Sequence, residues 1–486
     1  MTRKLWRIWW TFVLCGLVGS LGAYVAAPVL ATAATGVQDT AAVAPQQPTD
    51  TAAHIRSQIA ARQAASDSTL SERAISLLGL GAFLGLCWLL SRDRKRIPWR
   101  LVAWGIGLQL AFGIIVLKTA PGLWVFDKLN DGVVALLAYT QQGTDFLFRS
   151  FSSGKIDSPL VNFVFSVLPT IIFFSSLMTV LYHMGVMQRI VHVFAIAMQR
   201  TMKTSGAETL STAANIFVGQ TEAPLVVKPY VDEMTQSELM AVMVGGFANT
   251  AGGVLAAYVG MLHAYFPDIA GHLIAQSVMS APAALVCAKM VWPESGTPKT
   301  AGTTLAMDKS RIDANVLDAA ARGASEGLRL AANVAAMLLA FIALIALLNA
   351  LVGWLGGLVG LKDLSLETIL GLLTWPIAWV MGVPSQDCLV IGKLIGVKTV
   401  LNEFVAYLQL ADMLKTGAPL SYRSIVIASY ALSGFANFSS IAIQIGGISS
   451  IAPSRRSDLA RLGLLAMIAG AIATLMTATI AGVLID

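Results

Sequence analysis

Two glutamates stand where a charge is hard to keep. Glu222 lies in Val218-Gly219-Gln220-Thr221-Glu222-Ala223-Pro224, and Glu403 in Asn402-Glu403-Phe404-Val405-Ala406-Tyr407. Each sits inside a long, half-apolar stretch. A charged side chain at the centre of a membrane helix costs about 2.5–3.5 kcal/mol on insertion scales, so an acid retained there implies a partner or a wet cavity. An ionised carboxylate accepts up to about four hydrogen bonds and donates none. It suits a ligand that offers several hydroxyls. Gln220, Asn402 and Asn437 can donate and accept at once, which suits the edge of a base or a sugar, and Phe435 and Phe404 offer apolar faces. The competing reading makes both acids structural, satisfied by Lys228, Lys393 or Lys398.

Other chemistry falls away on inspection. Gly323-Ala324-Ser325-Glu326-Gly327 has the GxSxG spacing of a nucleophile elbow, but that elbow needs a strand before it and a helix after it. Here it lies in a polar connection leading into an apolar run. The five histidines, His54, His183, His192, His263 and His272, show no HExxH or other metal spacing. The four cysteines, Cys15, Cys87, Cys287 and Cys388, form no CxxC pair and read as small core residues. A membrane-embedded hydrolase would need a nucleophile with a base in reach, and the sequence offers none.

The elements that must position the acids are unusual. Residues 205–230 are half apolar and contain Gly206, Gly219 and Pro224; residues 386–412 are similar, with Gly392 and Gly396. Each is long enough to enter a membrane and too polar to cross it alone, so both are expected to be re-entrant hairpins, which need a covering of protein or a water-filled cavity. After the first hairpin comes a helix containing Gly246-Phe247-Ala248-Asn249, then an apolar helix near 269–291. After the second comes a helix containing Gly434-Phe435-Ala436-Asn437, then an apolar helix near 459–483. The order hairpin, broken helix, helix occurs twice, which reads as an inverted repeat of the kind that builds a secondary transporter's binding site. Thr250 to Gly253 in one copy, and Ser439 and Ser440 in the other, allow unwinding. Unwound backbone frees carbonyls for a cation and amide groups for a solute.

Composition agrees. The chain of 486 residues is 56% hydrophobic and only 12% charged, against about 25% charged in a soluble domain. Lipid must be its solvent for much of its length. The net charge of +6 does not point to nucleic acid, because the basic residues sit mostly between apolar runs. Apolar segments at 72–90, 101–118, 160–182, 236–262, 269–291, 328–357, 423–449 and 459–483 give about eight spans of about 20 residues each. Residues 122–150 are expected to lie in the interface as an amphipathic helix, and 292–325 to form a loop plus a short helix.

Residues 1–35 read as a signal peptide or an uncleaved signal anchor, and 36–71 as a disordered periplasmic linker. The first span after them would run inward to Arg92, Arg94, Lys95 and Arg96, where positive-inside asymmetry places basic residues. The expected fold is an all-α membrane protein. Scaffold helices occupy 72–200, a first transport repeat 201–292, a loop with scaffold and connecting helices 293–385, and a second transport repeat 386–486.

Gly396-Val397-Lys398-Thr399-Val400-Leu401-Asn402-Glu403-Phe404-Val405-Ala406-Tyr407 resembles the signature G-x-K-x-x-x-N-E-F-V-A-aromatic of the concentrative nucleoside transporters. Gly219 to Pro224 and Gly434 to Ser440 resemble two further blocks of that family. The resemblance covers about 72–486. It implies a homotrimer in the bacterial inner membrane whose hairpins and following helices move as an elevator against a scaffold. It implies that Gln220, Thr221 and Glu222 meet the nucleobase, that Glu403, Asn437 and Ser440 hold the ribose hydroxyls, and that Phe435 lines the pocket. It also implies a sodium ion held by Asn215, the Val218 carbonyl, Asn249 and the Thr250 carbonyl. The family pattern has a small hydroxyl residue where this chain has Asn249, which leaves proton coupling as an alternative to sodium. A channel is a more distant rival, and no nucleic-acid partner is expected.

Overall fold

The computed structural model describes residues 70–134, 168–303, 305, 313–358 and 365–485, together with Ser57 and Ile59. The expected signal and nearly all of the linker lie outside them, as do the C-terminal half of the expected interfacial helix and the first residues of the apolar run at 160–182. Every regular element among the described residues is helical. The first part of the chain gives α1 (Leu70–Leu90), α2 (Trp99–Lys118) and α3 (120–134). Then come α4 (Leu168–His183), α5 (Val186–Met202), α6 (Gly206–Ala214) and α7 (Lys228–Val231). They are followed by α8 (Gln236–Ala248), α9 (Gly252–Leu262) and α10 (Ile269–Val291). The rest is α11 (Val316–Leu358), α12 (Leu366–Val380), α13 (Cys388–Val400), α14 (Glu403–Lys415), α15 (Tyr422–Leu432), α16 (Phe438–Ile451) and α17 (Arg456–Leu484).

Among the described residues five stretches are long and apolar enough to cross a membrane: Arg73–Leu90, Trp99–Lys118, Gln236–Leu262, Ile269–Val291 and Pro453–Leu484. The pair α4–α5, bent by 78°, would make a sixth. The sequence expectation of about eight also counted 423–449, which divides into α15 and α16, each too short to cross alone. The other was 328–357, inside α11, whose central side chains lie outside the described residues. The expected loop and short helix at 292–325 needs correcting at its end. Residues 316–325 are the first turns of α11, which continues unbroken for 43 residues. Gly323 and Gly327 let α11 lie against Ser175, Thr179 and Ile172 of α4 there, so close packing extends the helix beyond its apolar part. The helix α12 is not among the eight apolar segments, and falls within 293–385, the stretch given to a loop with scaffold and connecting helices.

Burial separates a periphery from a centre. Only 28% of α1 and of α2 is enclosed by protein, against 89% of Gln236–Leu262 and of Ile269–Val291. The peripheral helices carry Leu78, Trp99, Trp104 and Ile115 outward, as helices facing lipid or another protein do. The centre is built from α8, α10, α15 and α17 packed on one another. Its helix starts are fixed locally. Ser205 with Glu208, and Thr235 with Glu238, form capping boxes at α6 and α8, each satisfying backbone donors that nothing else reaches.

Two central helices are broken. Residues 249–251 separate α8 from α9, and 433–437 separate α15 from α16. Asn249 (φ −112°, ψ 166°) and Asn437 (φ −140°, ψ 164°) are both extended, so the two copies of Gly-Phe-Ala-Asn end in the same local conformation.

Candidate functional site

The break at 433–437 starts α16 through Asn437, whose Oδ1 accepts from the Ser440 backbone N–H at 2.9 Å. That cap leaves the Asn437 amide nitrogen free to reach sideways, and it donates to Glu403 Oε2 at 2.8 Å. Glu403 stands at the first turn of α14, where Asn402 caps the helix through the Val405 N–H at 2.9 Å. The other oxygen of Glu403 accepts from the Tyr258 hydroxyl of α9 at 3.1 Å. Tyr258 is itself pinned, stacked on Tyr407 with ring centres 4.1 Å apart and edge-on to Phe404 at 5.4 Å.

The chain of bonds continues into the other repeat. Gln220 donates through Nε2 to Ser440 Oγ at 3.3 Å, and its Oε1 accepts from Gln444 Nε2 at 3.1 Å. Gln444 also donates to the Met243 carbonyl of α8 at 3.1 Å. Gln220, Glu403, Asn437 and Ser440 therefore form one buried network joining α14, α16 and the turn after α6. Phe435 is buried within the second break, and the Thr221 methyl packs over Gly447 of α16.

Glu222 stands apart from this network. It is exposed, accepts from the Thr221 hydroxyl at 3.1 Å, and folds its carboxylate over Gly219, where a β-carbon would strike it. Asn402 spends its oxygen on the helix cap, and its buried Nδ2 has no partner. Neither acid is in an ion pair among the described residues. Lys398 is buried but donates to the Ala431 carbonyl at 2.7 Å, at the end of α15. The competing reading of lysine-paired acids finds no support in these contacts. Ser325 lies on a helix with no strand before it among the described residues, and so lacks the geometry of a nucleophile elbow.

The sequence reading missed Tyr258 and Gln444. Gln444 was findable, because 437, 440 and 444 recur at helical spacing along one face of an apolar run. Tyr258 is a lone aromatic in an apolar helix, and only tertiary structure shows what it touches.

The first break has a different set of groups. Asn215 ends α6 and is buried. Its Nδ2 donates to the Ser211 carbonyl at 3.3 Å, while its Oδ1 has no partner. The Gly252 N–H donates to the Phe217 carbonyl at 3.0 Å, tying the turn after α6 to the unwound segment. Val218 and Thr250 flank that tie in non-helical backbone. Asn249 donates through Nδ2 to the Gly245 carbonyl at 3.1 Å, and its Oδ1 accepts from the Ser280 hydroxyl of α10. A buried, unpartnered amide oxygen beside unwound carbonyls is a donor set of hard oxygens, which fits an alkali cation.

A family model described as the C-terminus of a Na+ dependent nucleoside transporter matches residues 272–482. One described as its N-terminus matches 78–151, and one described as nucleoside recognition matches 164–265. Among solved structures, that of CNTnw in an inward-facing substrate-bound state is 46% identical with a TM-score of 0.78, over 85% of this chain and 97% of that one. This chain belongs to the concentrative nucleoside transporter family. As members of a family of transporters, not enzymes, such chains are multi-pass membrane proteins. Among relatives of this chain, the uncharacterized transporter YutK of Bacillus subtilis is 46% identical over 409 residues, covering 84% of this chain and 98% of the relative. Sodium/nucleoside cotransporter 1 of Rattus norvegicus is 42% identical over 428 residues and 85% of this chain. The chain spans 64% of that rat protein's length and 59% of that of solute carrier family 28 member 3 of Mus musculus.

Proposed function

We propose that the protein imports nucleosides by symport with sodium. The observation that carries this is the buried network Glu403–Asn437–Ser440–Gln220, which joins a carboxylate to amide and hydroxyl groups contributed by both repeats. Glu403, Asn437 and Ser440 hold the ribose hydroxyls. Gln220, Thr221 and Glu222 meet the base, and Phe435 walls the pocket. Glu222, now folded on Gly219, swings inward when the base arrives.

Sodium binds between the turn after α6 and the first break. Asn215 Oδ1, the Val218 and Thr250 carbonyls and Asn249 hold it, and it supplies a fixed positive charge that orders this turn. The turn carries Gln220, so ordering it pre-places a solute ligand and raises solute affinity. The pairs α6–α7 and α13–α14 act as re-entrant hairpins, and residues 201–292 and 386–486 form the transport unit. That unit moves as an elevator against helices drawn from 72–200 and 293–385. The protein assembles as a homotrimer in the bacterial inner membrane, surrounded by lipid.

One observation favours a second reading. The Ser280 hydroxyl lies against Asn249 Oδ1, so a cation there must share that oxygen or send the hydroxyl to its other acceptor, the Ser277 carbonyl at 3.1 Å. Proton coupling follows if it cannot. Uptake of labelled uridine into proteoliposomes decides between them. Accumulation driven by a sodium gradient supports symport with sodium, and accumulation driven by a proton gradient alone supports the second reading. Absence of saturable counterflow would overturn transport by either route in favour of a channel.

A further inference from the structure

The two helix breaks are tied directly to each other. Thr250 Oγ1 and Ser433 Oγ are 3.2 Å apart, and both side chains are buried. The Ser433 hydroxyl donates to Gln276 Oε1 of α10 at 2.8 Å. A hydroxyl has one proton, so in the Thr250–Ser433 pair Thr250 must be the donor. Gln276 then donates through Nε2 to the Ala248 carbonyl at 3.3 Å, which returns the circuit to the end of α8, two residues before Thr250. Each member has a defined direction of donation. The breaks also touch through backbone. A β-carbon on Gly434 would lie 2.8 Å from the Phe247 carbonyl oxygen and 3.0 Å from that of Ala248, so only glycine allows this approach.

We infer that the circuit Thr250–Ser433–Gln276–Ala248 is the element that couples the cation site to the solute pocket. This rests on the sodium–nucleoside reading above and names how its two sites communicate. Thr250 would present its carbonyl to the cation while its hydroxyl is held by Ser433. Ser433 stands four residues before Asn437, the residue that positions Glu403 and Ser440. Unwound backbone has no helical ladder to absorb a displacement. Drawing the Thr250 carbonyl onto a cation therefore moves a hydroxyl whose partner begins the solute-binding break. A polar circuit of this kind acts as a unit, so removing any one member breaks the whole.

The test measures uridine affinity of the purified full-length protein by calorimetry, without sodium and at saturating sodium. The native protein is expected to gain about 5- to 150-fold on adding sodium, the usual range of coupling between sites. Ser433→Ala is expected to bind uridine as before without sodium and to gain less than that range on adding it. Thr250→Val keeps the carbonyl and loses the hydroxyl, and is expected to lower the gain on adding sodium to the same degree; Thr250→Ser is expected to restore that gain. The double variant Thr250→Val/Ser433→Ala should lose no more than either single one. A full gain in Ser433→Ala overturns the inference while leaving sodium symport standing. So does an equal loss of affinity with and without sodium, which would make the circuit merely structural. No gain in the native protein would overturn the sodium reading and the inference together.

Discussion

Replacing Glu403 by glutamine tests the ribose assignment most sharply, because the protein itself can absorb the change. The carboxylate accepts from Asn437 at 2.8 Å and from Tyr258 at 3.1 Å. Glutamine can keep its oxygen toward Asn437 and donate its amide to the Tyr258 hydroxyl, which rotates to accept. The fold therefore keeps both contacts. A solute hydroxyl that needs an acceptor then meets either an uncharged oxygen or a competing donor. Hydrogen bonds to charged groups contribute about 1.5–3 kcal/mol and neutral ones about 0.5–1.5 kcal/mol, so each ribose bond weakens by about 1–1.5 kcal/mol. Two such bonds give about 2–3 kcal/mol, or about 30- to 140-fold in dissociation constant. Glu403→Asp serves as the opposite control. It keeps the charge and draws the oxygens back by about 1.5 Å, one C–C bond, beyond reach of Asn437 and Tyr258. Calorimetry of uridine binding at saturating sodium, with thermal unfolding measured in parallel, reads both. If Glu403→Gln binds uridine within about threefold of the native protein and melts normally, the carboxylate is a structural acid and does not hold the ribose.

Asn437→Ala removes both the cap of α16 and the bond to Glu403; it should lower stability by about 1 kcal/mol or more and abolish uridine uptake, and normal uptake at normal expression would remove Asn437 from the pocket. Asn215→Ala deletes the unpartnered amide oxygen beside the first break, and should raise the sodium concentration for half-maximal uridine binding while sparing binding without sodium; an unchanged sodium titration would exclude Asn215 as a ligand. Glu208→Gln breaks a buried pair in which Lys289 Nζ lies 2.6 Å from Glu208 and 3.3 Å from Glu294. Leaving that ammonium short of a partner should destabilise the protein by about 3–5 kcal/mol, less whatever Glu294 recovers, and a melting temperature equal to the native one would show that Glu294 suffices.

The sequence carried the local features well and the contacts between elements poorly. The two breaks were legible because Asn249 and Asn437 follow glycine and precede small polar residues, a purely local signal. The sequence reading assigns Asn402 to the edge of a base or sugar, and the structure spends its oxygen on the cap of α14 instead. The full extent of α11 was not legible, because residues 316–325 are polar and are held helical by glycine packing against α4. The contacts of Glu222 and Glu403 were not legible: Glu222 lies over Gly219, while Glu403 accepts from Asn437 and Tyr258. Rotamer choice at a turn depends on what surrounds it, and no spacing rule encodes that.

What Glu403 lacks is as informative as what it holds. A carboxylate offers about four acceptor positions, and Asn437 and Tyr258 fill two. Had Lys398 paired with it, the ammonium would have cancelled the charge and taken further acceptor positions, leaving little for a solute hydroxyl. Instead Lys398 donates to the Ala431 carbonyl, at the helix end left exposed by the second break. The division of labour follows from the break itself. Unwinding frees carbonyls at the end of α15, and a buried lysine satisfies one of them. It also turns Asn437 toward the acid with a neutral donor. The same interruption thus engages the lysine with a backbone carbonyl and supplies a neutral donor that orients the carboxylate, so Glu403 keeps acceptor positions beyond the two that Asn437 and Tyr258 fill.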